Sequence, residues 1–178
     1  MLFRSELVPI AELSKCNQLI SDINKGVDVH YETGKSVFGW KIPSDQTIET
    51  RRTVKNVVFG LCYGGGASTL SEQSGVSITV VKNIIESFFN RYPEIKVWHL
   101  KLLKEVHSNI VRTGSHSNGE VEFVGQYTNS ISGRIHKFNQ VEVPEFIRSK
   151  TGKKYDFSPT QIKNYQAQGF AGGDIMLT

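Results

Sequence analysis

Arg51, Lys55, Phe59 and Tyr63 recur at every fourth position of RRTVKNVVFGLCYGGG, residues 51–66. An α-helix turns once in about 3.6 residues, so these side chains form one slowly drifting stripe on its surface. At about 1.5 Å rise per residue the stripe runs roughly 18 Å, the length of an extended nucleoside triphosphate, with cations first and rings last. The positive end of the helix lies beside Arg51 and Lys55, where an anion is favoured, and the rings suit a base or a sugar. Gly60 sits inside this helix at a cost of about 1 kcal/mol relative to Ala, which fits a flat group approaching the backbone. Gly64, Gly65 and Gly66 supply a C-terminal stop. The same spacing also describes an ordinary amphipathic helix with a basic face, and composition does not separate the two.

The rest of the chain must place that stripe. Its 178 residues, 38% of them hydrophobic, suffice for one sizeable core in one or two lobes, and no internal repeat or low-complexity linker interrupts them. An excess of 21 Lys and Arg over 17 Asp and Glu, net +4, suits a phosphate-bearing partner. Cys16 and Cys62 are too few for a disulfide framework or a zinc site, and no N-terminal apolar segment reads as a signal or membrane span. The expected setting is a reducing cytoplasm, away from the membrane.

Helix signals dominate. Leu13, Leu19, Ile20 and Ile23 suggest a first helix closed by Gly26; Asp28 caps a second over VHYETGKSVFG, and Ser44 can start the next. Ser77 caps a run whose Val81, Ile84, Ile85, Phe88 and Phe89 form a buried stripe. After Pro93, Ile95, Trp98, Leu102, Val106 and Ile110 share a face that ends at Gly114, giving a helical hairpin. Alternation around Gly125 and Gly133 in Val121–Phe138 predicts a small β-hairpin, and SKTGKKYDFSP reads as an exposed basic loop. Ser158, Pro159 and Gln161 open a last helix, interrupted at Gly169. GLCYGGGAS lacks the GK[ST] ending of a phosphate-binding P-loop and follows a helical pattern, so its glycines read as a helix stop. His99, His107, His116 and His136 have no cysteine or carboxylate at ligand spacing and read as core or surface residues, with no metal site.

The order of these segments resembles the polymerase core of family A DNA polymerases, the bacterial polymerase I and phage replicative type. RRTVKNVVFGLCYGGGA is similar to the family's motif B, the nucleotide-binding O helix of the fingers, with all hallmark positions of RRxxKxxxFGxxYG filled. SELVPIAELS resembles the downstream part of motif A, GVDVHYETGKSVFG the segment before motif B, and RYPEIKVW the following fingers helices. SGRIHKF resembles the GR-containing hairpin, and NYQAQGFAGGDIM the NxPxQG helix returning to the palm. The implied fold class is α+β, mainly helical, a right-hand polymerase's fingers with a small β-hairpin and an incomplete palm. The implied divisions are a palm strip at 1–14, fingers at 15–157 and a returning helix at 158–178. Within the fingers lie the O helix at about 48–64, a helical hairpin at 77–113 and the β-hairpin at about 121–138.

The resemblance also implies roles. Arg51 and Lys55 hold the incoming dNTP's triphosphate, a task that suits a bidentate guanidinium and a point charge, and His30 adds a donor. Phe59 packs on the nucleotide's sugar and base, Tyr63 and Gly64 lie by the templating base, and Glu6 matches the sugar-gate glutamate. Asn164 and Gln168 match residues that probe the primer terminus through minor-groove acceptors shared by all correct pairs. Partners are therefore dNTPs and primer-template DNA, and the cofactor is a pair of Mg²⁺ ions held between two aspartates.

Departures from the pattern qualify this. The motif A aspartate falls at position 1, which is Met1, and the motif C aspartate is expected beyond Thr178. Asp174 stands where the family has no metal ligand, Thr160 where bacterial members carry Arg, and Gln166 where proline is usual. Three accounts follow: a split polymerase completed by another polypeptide with both aspartates and the thumb, an inactive relic or fragment, and a non-enzymatic nucleic-acid-binding domain. The first implies exposed apolar edges where the motif A strand has lost its neighbours.

Overall fold

Side-chain caps set the starts of the central helices. Asp28 accepts the His30 and Tyr31 N–H groups, Thr47 that of Thr50, and Ser77 that of Val80, each satisfying donors that a helix's first turn leaves unpaired. The computed structural model describes residues 4–129 and 133–169, with the side chains of residues 4–6 excluded. The helices are α1 (Arg4–Ser14), α2 (Asn17–Lys25), α3 (Val29–Phe38), α4 (Ile48–Cys62), α5 (Ala67–Ser74), α6 (Ile78–Arg91), α7 (Pro93–Ser108), α8 (Glu145–Thr151) and α9 (Pro159–Gly169). Strands β1 (Ile110–Ser115), β2 (Val121–Thr128), β3 (Ile135–Glu142) and β4 (Tyr155–Phe157) form one antiparallel sheet in chain order. This is the expected α+β, mainly helical class.

Several elements differ from the sequence reading. The expected first helix is two, because Lys15 takes φ 55° and Cys16 is extended, turning the chain between α1 and α2. Residues 4–14 are helical despite Pro9, so no motif A strand with open edges is found among the described residues. The cap of α4 is Thr47, with Ser44 inside the 3₁₀ turn Pro43–Asp45. Helix α5 follows the glycines without an apolar stripe to announce it; only Leu70 is buried. The second arm of the helical hairpin stops at Ser108, and 110–115 pairs with β2, as the β-branched Ile110, Val111 and Thr113 favour. The basic loop is α8 and β4, which widen the expected hairpin to four strands. Met1 and Asp174 lie outside the described residues.

The core forms around α4, whose Val54, Val57, Val58, Leu61 and Cys62 are buried against α3, α5 and α6. Gly34 on α3 lets the Trp40 ring lie on the helix backbone: a Cβ there would fall 2.3 Å from Trp40 Cζ3 and 2.9 Å from Val54 Cγ2. Trp40 stacks on Tyr31 and Phe38, which folds the chain after α3 back along that helix. A buried carboxylate ties in the other helices. Asp22 accepts from Gln18 Nε2 at 2.8 Å, Tyr92 Oη at 2.8 Å and Arg91 Nε at 2.9 Å, and Arg91 also reaches Glu32. Burial alone would raise the Asp22 carboxyl, but the donors from Tyr92, Arg91 and Gln18 outweigh it and hold it below its ordinary range.

Gly60 admits a neighbour, though not a flat one. Leu70 of α5 fills the space, and a Cβ at residue 60 would lie 2.3 Å from Leu70 Cδ2. Gly60→Ala should therefore destabilise by about 1–3 kcal/mol, although an unobstructed helical glycine gains about 1 kcal/mol on the same change. Leu70→Ala in the same chain should make the two losses non-additive, measured by urea unfolding midpoints.

His99 on α7 is 4% exposed; its ring bonds the Cys62 backbone while Nε2 has no partner. Burial, with Lys163 adding to it, lowers its pKa to about 3, so the folded chain keeps it neutral. The unfolded chain binds a proton near pH 6.5 that the folded chain refuses, so stability is lost as pH falls from about 6.5 toward 3. The expected contribution is up to about 1.4 kcal/mol per pH unit, and His99→Met should flatten a plot of melting temperature against pH in that window.

Candidate nucleotide site

The stripe of cations and rings runs along the edge of the buried face of α4, beside Val58 and Cys62, which line one crevice with its rings. Arg51 and Lys55 are half-buried, Phe59 is 38% exposed, and Tyr63 is the residue at which the helix ends. Phe59 and Tyr63 meet edge to face with ring centroids 4.7 Å apart. Leu7 and Ile10 of α1 and His30 of α3 come up to the rings, lining a crevice of about 10 Å³ with Phe59 and Tyr63. Beside it opens a groove of about 280 Å³ bounded by Leu7, Asp28, His30 and Arg51. The cationic end of the stripe thus faces open space and the aromatic end is closely packed.

His30 is placed by the cap of its own helix. Asp28 Oδ1 accepts the His30 N–H at 3.1 Å, which starts α3 and sets the ring into the groove wall. Burial pushes its pKa down to about 4 against the opposing charge of Asp28, and the charges of Arg51 and Lys55 add to the lowering. The imidazole is neutral near pH 7, and its buried Nδ1 has no hydrogen-bond partner. A neutral ring with an unused nitrogen can give or take one hydrogen bond without changing the site's charge.

Asp28 makes a 2.7 Å ion pair with Arg51 Nη1, and Gln46 Oε1 accepts from that nitrogen at 2.6 Å. Burial would raise the Asp28 carboxyl, yet the Arg51 contact and the Tyr31 N–H outweigh it and hold the group below its ordinary value. Sequence reasoning took Asp28 only as a cap and did not find Gln46. The signal for Asp28 was its place two residues before His30; Gln46 carries none.

Gly64, with φ 88°, is the contact between α4 and α9. A Cβ there would lie 2.8 Å from Lys163 Cδ and 3.2 Å from Thr160 Cα, and Thr160 Oγ1 donates to the Gly64 carbonyl at 3.4 Å. Thus Thr160, the position of a bacterial arginine in the resemblance, joins α9 to the end of α4. Asn164 is half-buried with Oδ1 unpartnered, and Gln168 is exposed beside Arg134, His136 and Tyr165 in a groove of about 410 Å³. These two residues stand apart from the α4 groove. Glu6 lies on α1, one residue before Leu7 of the groove wall.

Of the other histidines, His107 Nε2 meets the Asp156 carboxylate at 2.9 Å, a contact across 49 positions of the chain that no ligand spacing announces. His116 stacks on Tyr155 at 3.6 Å. Among the described residues no group of three His, Cys, Asp or Glu side chains could hold a metal ion. Asp28 is committed to two backbone N–H groups and Arg51. The donor set for a pair of Mg²⁺ ions is therefore not supplied by the described residues. No described helix is long and apolar enough to cross a membrane.

Comparison with known proteins agrees with the geometry. The sequence profile of DNA polymerase family A matches residues 4–175. The DNA polymerase of Mycobacterium phage D29 is 36% identical over 104 residues, covering 58% of this chain and 17% of that protein. DNA polymerase I of Lactococcus lactis subsp. cremoris is 32% identical over 129 residues, covering 72% of this chain and 15% of that protein. The chain thus spans less than one fifth of the length of these relatives. Among solved structures, the POL domain of Pol1 from M. smegmatis, in complex with DNA primer-template and dNTP, aligns with TM-score 0.58 over 99% of this chain and 26% of that one. At 22% identity that likeness speaks for the fold. A motif B helix filled at every hallmark position and a profile match over nearly the whole chain lead to one conclusion: this protein belongs to DNA polymerase family A.

Proposed function

We propose that this chain forms the fingers of a DNA-directed DNA polymerase and binds the incoming dNTP along the Arg51–Tyr63 face of α4. The observation that supports it most is the groove at the cationic end of that face, bounded by Arg51, His30 and Asp28 and continuous with a packed aromatic end at Phe59 and Tyr63. Residues 15–157 serve as fingers, 1–14 as a strip of palm and 158–178 as the helix returning to it. Arg51 and Lys55 take the triphosphate through charge-assisted contacts, and His30 adds one neutral hydrogen bond. Phe59 supports the sugar and base, Glu6 disfavours a 2′-hydroxyl, and Tyr63 with Gly64 lies at the template. Asn164 and Gln168 test the minor groove of the primer terminus for shape.

The reaction is attack of the primer 3′-hydroxyl on the α-phosphorus. The two Mg²⁺ ions that family membership implies would be held by carboxylates outside the described residues, so the competent unit includes polypeptide beyond them, in this or another chain. What the described residues do is bind and orient. Closing α4 over a correct pair brings both cations onto the phosphates and excludes water, so specificity arises as the site assembles. Cytoplasm is the compartment consistent with this role.

In the polymerase of which this chain forms part, Lys55→Ala should lower kcat/KM for dNTPs on the order of 10- to 100-fold. Unchanged steady-state kinetics would remove the stripe from the mechanism and leave a nucleotide- or DNA-binding domain without turnover as the better reading. Phe59→Tyr should ease dideoxynucleotide incorporation, read as the ratio of dideoxy to deoxy kcat/KM in primer extension; an unaltered ratio would move the sugar pocket elsewhere.

A further inference from the structure

The turn before α4 is built to hold one side chain still. Asp45 Oδ2 accepts the Lys41 N–H at 2.7 Å and the Ile42 N–H at 3.0 Å, closing the turn Pro43–Asp45. Gln46 follows, and its Nε2 donates to the Pro43 carbonyl at 3.0 Å. That bond fixes which way the amide points, because it leaves Oε1 as the free acceptor. Oε1 then takes Arg51 Nη1 at 2.6 Å, the same nitrogen that pairs with Asp28 Oδ2 at 2.7 Å. Asp28 is itself immobilised as the cap of α3.

Two acceptors on two different elements therefore grip one nitrogen of Arg51. A guanidinium binds an oxyanion most tightly in fork geometry, through two parallel N–H groups on one edge. With Nη1 held, the edge formed by Nε and Nη2 is the one left for a ligand at the groove. A long arginine otherwise loses much rotamer freedom on binding, and ordering it beforehand removes that loss from the binding step.

We propose that Gln46 is a positioning residue for phosphate recognition: together with Asp28 it holds Nη1 of Arg51 and presents the Nε–Nη2 edge to the triphosphate of a nucleotide. Gln46 suits this role because it is neutral; a second carboxylate would repel the phosphate it helps to bind. This inference rests on Arg51 being a phosphate ligand, as the proposed function has it.

The test is titration of the full chain with inorganic tripolyphosphate, followed by the ¹H–¹⁵N signal of the Arg51 side chain and carried into the millimolar range. Wild type, Gln46→Ala, Arg51→Ala and the double variant are compared, with main-chain amide signals reporting binding where Arg51 is absent. Gln46→Ala should weaken binding about 3- to 10-fold and release the hindered rotation of the Arg51 guanidinium at unchanged melting temperature; in the Arg51→Ala background it should add no further loss. Asp28→Asn, which keeps a capping side chain, should release the guanidinium in the same way. Equal affinity of wild type and Gln46→Ala, with Arg51→Ala weakened, would overturn the positioning role while leaving the phosphate site standing. The same loss in both backgrounds would show that Gln46 merely supports the turn. Unweakened binding by Arg51→Ala would overturn this inference and the proposed phosphate site together.

Discussion

Everything at the site depends on which side of α4 is buried. Its inward positions are Val54, Val57 and Val58, β-branched residues that a helix accommodates poorly in isolation, so packing and not propensity holds the helix together. Packing against α3, α5 and α6 fixes the rotation of α4 about its axis, and that rotation leaves Arg51, Lys55, Phe59 and Tyr63 at the border between the buried face and solvent. The Trp40 ring over Gly34 and the Leu70 side chain over Gly60 are the wedges that set how closely α3 and α5 approach. Moving either would turn or displace the stripe.

The pattern of α4 was legible because two repeats share one helix: buried valines at 54, 57 and 58, and the stripe at every fourth residue along the edge of their face. The cap at Asp28, the run after Ser77 and the face from Ile95 to Val106 were legible for the same reason. What was missed lacked such signals. Helix α5 buries one leucine, too little for a periodicity, and its place is set by Gly60 in α4 and Gly65 after it, which accept that leucine. Strand β1 continues the apolar face of α7 in sequence, so Ile110 read as one more helical position; only its pairing with Gly125 shows otherwise. Strand β4 is too short to alternate visibly.

At the candidate site the stripe itself was visible in the sequence but its supports were not. Arg51 and Lys55 are visible because charge at helical spacing is visible. Gln46 and Asp28 act through a turn and a cap whose coming together is tertiary, and neither local composition nor spacing encodes it. Polar groups buried without partners occur on α9 as well as at His30. Gln166 on α9 is fully buried with both amide atoms unpaired, an arrangement that costs free energy and sits on the helix carrying Asn164 and Gln168.

The sheet has a bearing on how such a chain can change. Its strands follow one another in chain order between α7 and α9, each paired with the next, so the whole meander is a detour that leaves one helix and returns to the next. Where it touches α7 the fit is close, since Gly125 has room only for a hydrogen against Val106. Farther out, at the turn around Gly119, nothing presses on the backbone. Insertions at that outer end would lengthen the detour without rethreading any other element, giving this lineage a place to add surface while α4 stays as it is.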